Sequence, residues 1–204
     1  ERSDERSLAG RIYTRVMVLG GEERQSYRKR HLVPVGEYVP VPPSVREWMK
    51  MQTLPHADLA KGDDTQPLLT AADGTRFGVA ICYEDAYGSE QLYALPDAGI
   101  LINVSNDAWF GDSIAPHQHL EIARMRSLEF GRPALRSTNT GISAFISADG
   151  ELLQTGKQFV PELMTADIQP RRGMTPYARG GNWPILGLCL AILGLFWIRN
   201  RASL

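Results

Sequence analysis

The chain has 204 residues, 43% hydrophobic and 22% charged, with 22 Lys and Arg against 23 Asp and Glu and a net charge of -1. That balance suits a globular domain with a full core and excludes disordered and fibrous classes. It also excludes nucleic acid as a partner, since that function needs clustered basic charge to displace phosphate counterions. The two cysteines, Cys82 and Cys189, lie in no CxxC or Cys/His pattern of zinc spacing, so no metal site and no cofactor are expected.

The chain opens on Glu1 rather than Met, with nothing like the charged-then-apolar layout of a signal peptide, and reads as the carboxyl-terminal part of something longer. Residues 1–10 are charged and polar and read as a mobile lead-in. From Arg11 to Leu19 apolar and polar residues alternate with β-branched enrichment, Gly20-Gly21 makes a turn, and Gln25 to Leu32 is the partner strand with Tyr27 and Lys29 on one face. Pro34, Pro40, Pro42 and Pro43 brace the next stretch as a rigid loop holding Glu37. Ser44 and Glu47 make a capping box for a short helix from Val45 to about Met51. Leu68 to Thr70 is a short strand, turned by Asp73-Gly74 into the run Phe77 to Ile81.

That run is a buried strand ending on Cys82-Tyr83-Glu84-Asp85. Ser89 to Leu95 reads as a helix stopped near Pro96, and Gly99 to Ser105 as a second buried strand, which predicts a parallel pair in an α/β architecture. His117 to Phe130 is an amphipathic helix with Leu120, Ala123 and Leu128 along one stripe, stopped by Gly131-Arg132-Pro133. Ala134 to Thr138, Ile142 to Ser147, Gly150 to Leu153 and Leu163 to Ile168 read as strands, with a turn at Asp149-Gly150. Every residue from Trp183 to Ile198 is apolar, Gly or Pro, and tryptophans stand near both ends. A transmembrane helix is the expected reading, although 16 residues is slightly short of the ~20 an untilted span needs. Cys189 inside that run makes a bridge to Cys82 unexpected.

Cys82 at a strand end occupies the place where open α/β sheets carry chemistry, and a thiolate there can act as a nucleophile. A free cysteine is equally a small buried hydrophobe. Attack on a carbonyl also needs a base and a group that holds the oxyanion. Lys29 leads into the proline-braced loop, a rigid setting for a side chain that is usually solvated. Glu37 or Glu84 could orient Lys29 or move protons, or could serve as a loop ion pair and a helix cap. His117 and His119, two apart on a helix, point roughly 200° apart, so at least one of them is structural.

The run Tyr27-Arg28-Lys29-Arg30-His31-Leu32-Val33-Pro34-Val35-Gly36-Glu37-Tyr38-Val39-Pro40 closely resembles the lysine motif of the nitrilase superfamily, in the form found in its apolipoprotein N-acyltransferases. Ile81 to Asp85, Asn103 to Gly111 and Arg136 to Ser143 resemble that family's later motifs in the same order. The resemblance covers about residues 11–200 and implies an α/β fold, a four-layer α-β-β-α sandwich, amino-terminally incomplete, over residues 11–180. A membrane helix over 183–198 and a tail over 199–204 would follow.

It further implies a Glu-Lys-Cys triad in which Cys82 carries the acyl group of a phospholipid as a thioester and Lys29 steadies the oxyanion. Glu37 and Glu84 would be accessory carboxylates. Tyr83 would shape the pocket, and Trp109 and Phe110 would bind substrate. The acyl group would pass to the amino-terminal lipid-modified cysteine of a diacylglyceryl apolipoprotein at the bacterial inner membrane, on the periplasmic side. A related amidase would use water instead of the amine. The family's general-base glutamate lies upstream of the lysine motif. Glu22 and Glu23, beside Gly20-Gly21, are not assigned that role, and because an incomplete sandwich exposes sheet edges and apolar faces this polypeptide is expected to fold poorly and catalyse nothing alone, as a degenerate fragment also would.

Overall fold

The computed structural model describes residues 12–19, 24–42, 44–45 and 59–202. The expected lead-in over 1–10, the Gly20-Gly21 turn, Glu22, Glu23 and most of the helix from Val45 to Met51 with Glu47 lie outside the described residues.

The two opening strands are shorter than the alternation predicts. Strand β1 (Arg15–Met17) pairs antiparallel with β2 (Ser26–Arg28), with Val16 opposite Tyr27. A six-stranded sheet follows in the order β3-β4-β5-β6-β7-β8. Its strands are β3 (Leu69–Thr70), β4 (Arg76–Ile81), β5 (Ile100–Ser105), β6 (Ala134–Thr138), β7 (Ala144–Ile146) and β8 (Leu152–Thr155). The central three are parallel, with Ala80 beside Asn103 and Asn103 beside Arg136, and the outer pairs are antiparallel. The predicted parallel pair is therefore present and gains a third member. The crossover between β4 and β5 is a short helix, α1 (Gly88–Gln91), followed by a 3-10 turn at Leu92–Ala94. The crossover between β5 and β6 is α2 (Ala115–Phe130).

Both faces of the sheet are covered, which is why β4 and β5 read as nearly continuous apolar runs. On one face Leu101, Ala134, Ala144 and Ile146 pack with Leu120, Ala123 and Phe130 of α2. On the other, Val79 and Ile81 pack with Tyr27 of β2, and Val16, Ile102 and Val104 lie against them. The order helix, sheet, second sheet follows the layering that the resemblance implies. Gly78 lets α1's continuation lie close to the sheet, because a Cβ there would come within 3.1 Å of Ala94 and 3.2 Å of Leu101.

Two expectations need correction. Leu128 is not on the buried stripe of α2, since it is exposed and the buried positions are Pro116, His119, Leu120, Ala123, Ser127 and Phe130. A straight 3.6-residue stripe through Leu120 and Ala123 continues to Ser127, one position short of Leu128. Leu163 to Ile168 forms no strand: among the described residues no ladder pairs it, and Leu163 lies almost wholly in solvent. Beyond a short helix α3 (Pro176–Gly180), α4 (Trp183–Ala202) is long and apolar enough to cross a membrane, and none of its Trp183–Asn200 stretch is buried. Cys189 sits exposed on it, and both cysteines are free thiols.

Candidate active site

At the carboxyl ends of β4, β5 and β6, facing β2, lies a cavity of about 820 Å³. Cys82 lines it from the end of β4, Ser105 and Asn106 from the end of β5, Asn139 from the end of β6, and Lys29 and Glu37 from beyond β2. Cys82 is half-buried and opens a tight 3-10 turn, Cys82–Ala86, with φ at 53°. A left-handed backbone costs a residue with a Cβ roughly 1–2 kcal/mol, so the surrounding contacts must hold Cys82 in place.

Lys29 is buried, not solvated, at 1% exposure. Its ammonium lies 2.7 Å from both carboxylate oxygens of Glu37, whose Oε2 also accepts the Val33 N–H at 2.8 Å. The loop that brings Glu37 back to Lys29 places Val35, a β-branched residue, at φ 68°, and closes with the Val35 N–H on the Tyr38 carbonyl at 2.7 Å. Of the two carboxylates that sequence left open as partners for Lys29, Glu37 is the one that meets it.

Glu84 does different work. Its carboxylate accepts the Ile81 N–H at 2.7 Å, the Arg30 and His31 N–H groups at 2.6 and 3.1 Å, and the Tyr27 hydroxyl at 3.0 Å. It therefore ties the strand end carrying Cys82 to the segment carrying Lys29, and it is not among the residues lining the cavity. Burial first, and the Glu84 charge second, push the Tyr27 phenol well above its usual range, which keeps it a donor. Glu84→Gln puts an amide N–H₂ among donors and weakens charge-assisted bonds, so the variant is expected to lose about 3 kcal/mol in denaturant unfolding. A loss below about 1 kcal/mol would show that the tie carries little weight.

Tyr83 also lies off the cavity lining. Its hydroxyl accepts from Tyr87 at 2.8 Å, and both rings pack on His31. Trp109 and Phe110, from a 3-10 turn after β5, do line the cavity and stay exposed, Trp109 at 77%.

Sequence reasoning missed a buried ionic cluster beneath Cys82: Asp85, Asp107, His119 and Arg136. The signal was available, because the stripe through Pro116, Leu120 and Ala123 selects His119 and leaves His117 in solvent. Burial alone would lower the His119 pKa, but hydrogen bonds to Asp107 and Asp85 outweigh it and raise the value from 6.5 to about 9. Burial likewise works to raise the Asp107 carboxyl, yet His119, Ser105 and Arg136 bring it below the usual range. A folded-state pKa above the unfolded one gives stabilisation that is complete below about pH 6.5 and fades as pH rises through about 9. The expected loss between pH 6.5 and 10 is on the order of 3 kcal/mol. It is to be read by denaturant unfolding as the excess loss over His119→Gln; equal losses in the two proteins would contradict it.

The arrangement supplies a thiol, a buried ammonium fixed by a carboxylate and an adjoining apolar wall, a set suited to attack on a carbonyl and to holding the charge that develops on its oxygen. The chain is 46% identical to an apolipoprotein N-acyltransferase of Methylococcus capsulatus over 194 residues, 95% of this chain and 38% of that protein. It is 45% identical to the apolipoprotein N-acyltransferase of Nitrosomonas europaea over 192 residues, 94% of this chain and 37% of that protein. The chain thus spans under two-fifths of the length of these relatives. Among solved structures, the C. elegans NitFhit protein superposes on 76% of this chain and 37% of its own with a TM-score of 0.54 at 15% identity, a likeness of fold. The sequence model of the carbon-nitrogen hydrolase family matches residues 3–177. With that match, and the strand-end thiol and buried lysine in place, the chain belongs to the carbon-nitrogen hydrolase family.

Proposed function

We propose that this chain is the catalytic part of an N-acyltransferase that moves a fatty acyl group from a phospholipid to the α-amino group of a diacylglyceryl-modified cysteine at the amino terminus of an apolipoprotein. Residues 11–180 are the catalytic unit, α4 is a membrane span, and the reaction takes place at the periplasmic face of a bacterial inner membrane. The observation that carries this reading is one cavity that joins Cys82 to the Lys29–Glu37 pair and is flanked by exposed Trp109 and Phe110, in a chain that also bears an uncovered apolar helix. The names of the relatives support an acyl transfer to nitrogen on an apolipoprotein.

In the first step the Cys82 thiolate attacks the ester carbonyl of the phospholipid, and the Lys29 ammonium stabilises the oxyanion. The tetrahedral species collapses to a Cys82 thioester and expels the lysophospholipid alkoxide, which takes up a proton. In the second step the acceptor amine attacks the thioester, an amide forms, the amine gives up a proton and the thiolate leaves. Glu37 holds Lys29 in position, Glu84 sets the spacing of the two segments, Trp109 and Phe110 contact the acyl chain, and Tyr83 braces the turn after Cys82 against His31 and Tyr87. Among the described residues Glu37 is the carboxylate lining the cavity, and Lys29 engages both its oxygens. No described residue is assigned as the acceptor of the Cys82 thiol proton.

The test uses membranes containing the intact protein, a phospholipid with a labelled acyl chain and a synthetic diacylglyceryl-cysteine peptide. The label is expected on the peptide α-amine as an amide by mass spectrometry. Label released only as free fatty acid, with or without the peptide, would assign a hydrolase instead.

A further inference from the structure

The proposed chemistry leaves unused the charged cluster beneath the nucleophile. His119 reaches it from α2, with Nε2 at 3.0 Å from Asp85 Oδ1 and 3.3 Å from the backbone carbonyl oxygen of Cys82, and Nδ1 at 3.1 Å from Asp107 Oδ1. Asp107 Oδ1 also accepts the Ser105 hydroxyl at 2.6 Å, and its Oδ2 accepts from Arg136 at 3.0 Å. Arg136 lies 3.5 Å from Asp85 and is also hydrogen-bonded to Asn103. The side chains of Asp85, Asp107 and Arg136 are at most 3% exposed, and that of His119 is 10% exposed.

The identity of the partners fixes the state of the ring. Each nitrogen of His119 faces oxygen acceptors: Asp85 and the Cys82 carbonyl on one side, and on the other an Asp107 carboxylate already held ionised by a hydroxyl and a guanidinium. A neutral imidazole would set a lone pair against one of these carboxylates. A ring protonated at both positions satisfies all of them and balances two buried anions with two cations. The cluster is also closed sterically, since a Cβ on Gly141, in the loop after β6, would lie 2.1 Å from Asp107 Oδ2.

We propose that His119 is a positioning residue for the nucleophile: as an imidazolium bridging Asp85 and Asp107, it donates to the Cys82 carbonyl and holds Cys82 in the left-handed backbone conformation that turns its thiol into the cavity. The inference rests on Cys82 being the nucleophile. The groups facing His119 are Asp85 from the turn after β4, Asp107 and the Phe110 ring edge from the turn after β5, Arg136 from β6 and Cys82 itself. The imidazolium persists to about pH 9 in this setting.

The test reads thiol reactivity, so it stands apart from acyl transfer. The intact protein in detergent is alkylated with iodoacetamide, and Cys82 and Cys189 are quantified in the same sample by peptide mass spectrometry, Cys189 serving as internal reference. His119→Gln is expected to slow Cys82 about tenfold at pH 7.5 with Cys189 unchanged, provided circular dichroism shows a wild-type fold. In the wild-type protein the ratio of Cys82 to Cys189 rates is expected to fall between pH 8.5 and 10, as the imidazolium loses its proton. A ratio that holds through pH 10, or a folded variant within twofold of wild type, overturns the proposal. Should His119→Gln fail to fold, the wild-type profile decides alone. Failure of acyl transfer in Cys82→Ala is read separately and bears only on the nucleophile.

Discussion

Cys82→Ala is expected to abolish the hydroxylamine-sensitive acyl adduct that the intact protein forms with phospholipid, and to reduce acyl transfer by about 10³-fold or more. Alanine keeps the Cβ, so the left-handed backbone at φ 53° carries the same steric cost in both proteins and the fold is expected to be retained. What is lost is the sulfur, the one nucleophilic side chain lining the cavity whose ester with an acyl group would be a hydroxylamine-labile thioester. The second thiol makes the experiment specific. Cys189 lies exposed on α4 and could carry an adventitious thioester in lipid, so Cys189→Ala is the matched control and is expected to leave the adduct intact. An adduct that survives in Cys82→Ala and disappears in Cys189→Ala would remove Cys82 from the mechanism.

The positions that sequence reasoning reached are those where one residue type has one physical use. Phe77 to Ile81 and Gly99 to Ser105 are nearly continuous apolar runs because both faces of β4 and β5 are covered, and that burial made the parallel pair legible. The proline-braced loop made Glu37 legible as a fixed carboxylate. Other features depended on contacts far along the chain. Glu84 resembles a helix cap or an accessory acid in its own neighbourhood, and only the fold shows its carboxylate joined to Arg30 and His31, more than 50 residues earlier. His119 could be picked out as the buried histidine from the helical stripe, but Asp107 and Asp85 as its partners become visible only in the fold, 12 and 34 residues away along the chain. The missing strand at Leu163 to Ile168 fails for the opposite reason: its local pattern suits a strand, but no neighbour pairs with it among the described residues.

Lys29 and Glu37 are expected to separate activity from stability when changed singly and together. Lys29→Met removes the buried ammonium and replaces it with an apolar chain of similar length. Glu37, 20% exposed, can then turn its carboxylate toward water while still accepting the Val33 N–H. That variant is expected to fold and to lose about 10²–10³-fold in acyl transfer, because among the described residues Lys29 is the one cation lining the cavity where the oxyanion forms. Glu37→Gln leaves the ammonium buried against a neutral amide, and breaking a buried pair from one side costs about 3–5 kcal/mol, reduced here by Glu37's partial exposure. It is expected to lose both stability and transfer. Combining the two changes removes both charges, so the double variant is expected to regain most of the stability lost in Glu37→Gln and none of the transfer. Denaturant unfolding and the labelled-acyl assay on the four proteins complete the cycle. Transfer within tenfold of wild type in Lys29→Met would rule out the ammonium as the oxyanion's partner, and a double variant no more stable than Glu37→Gln would show that the pair is not the unit that fixes the loop.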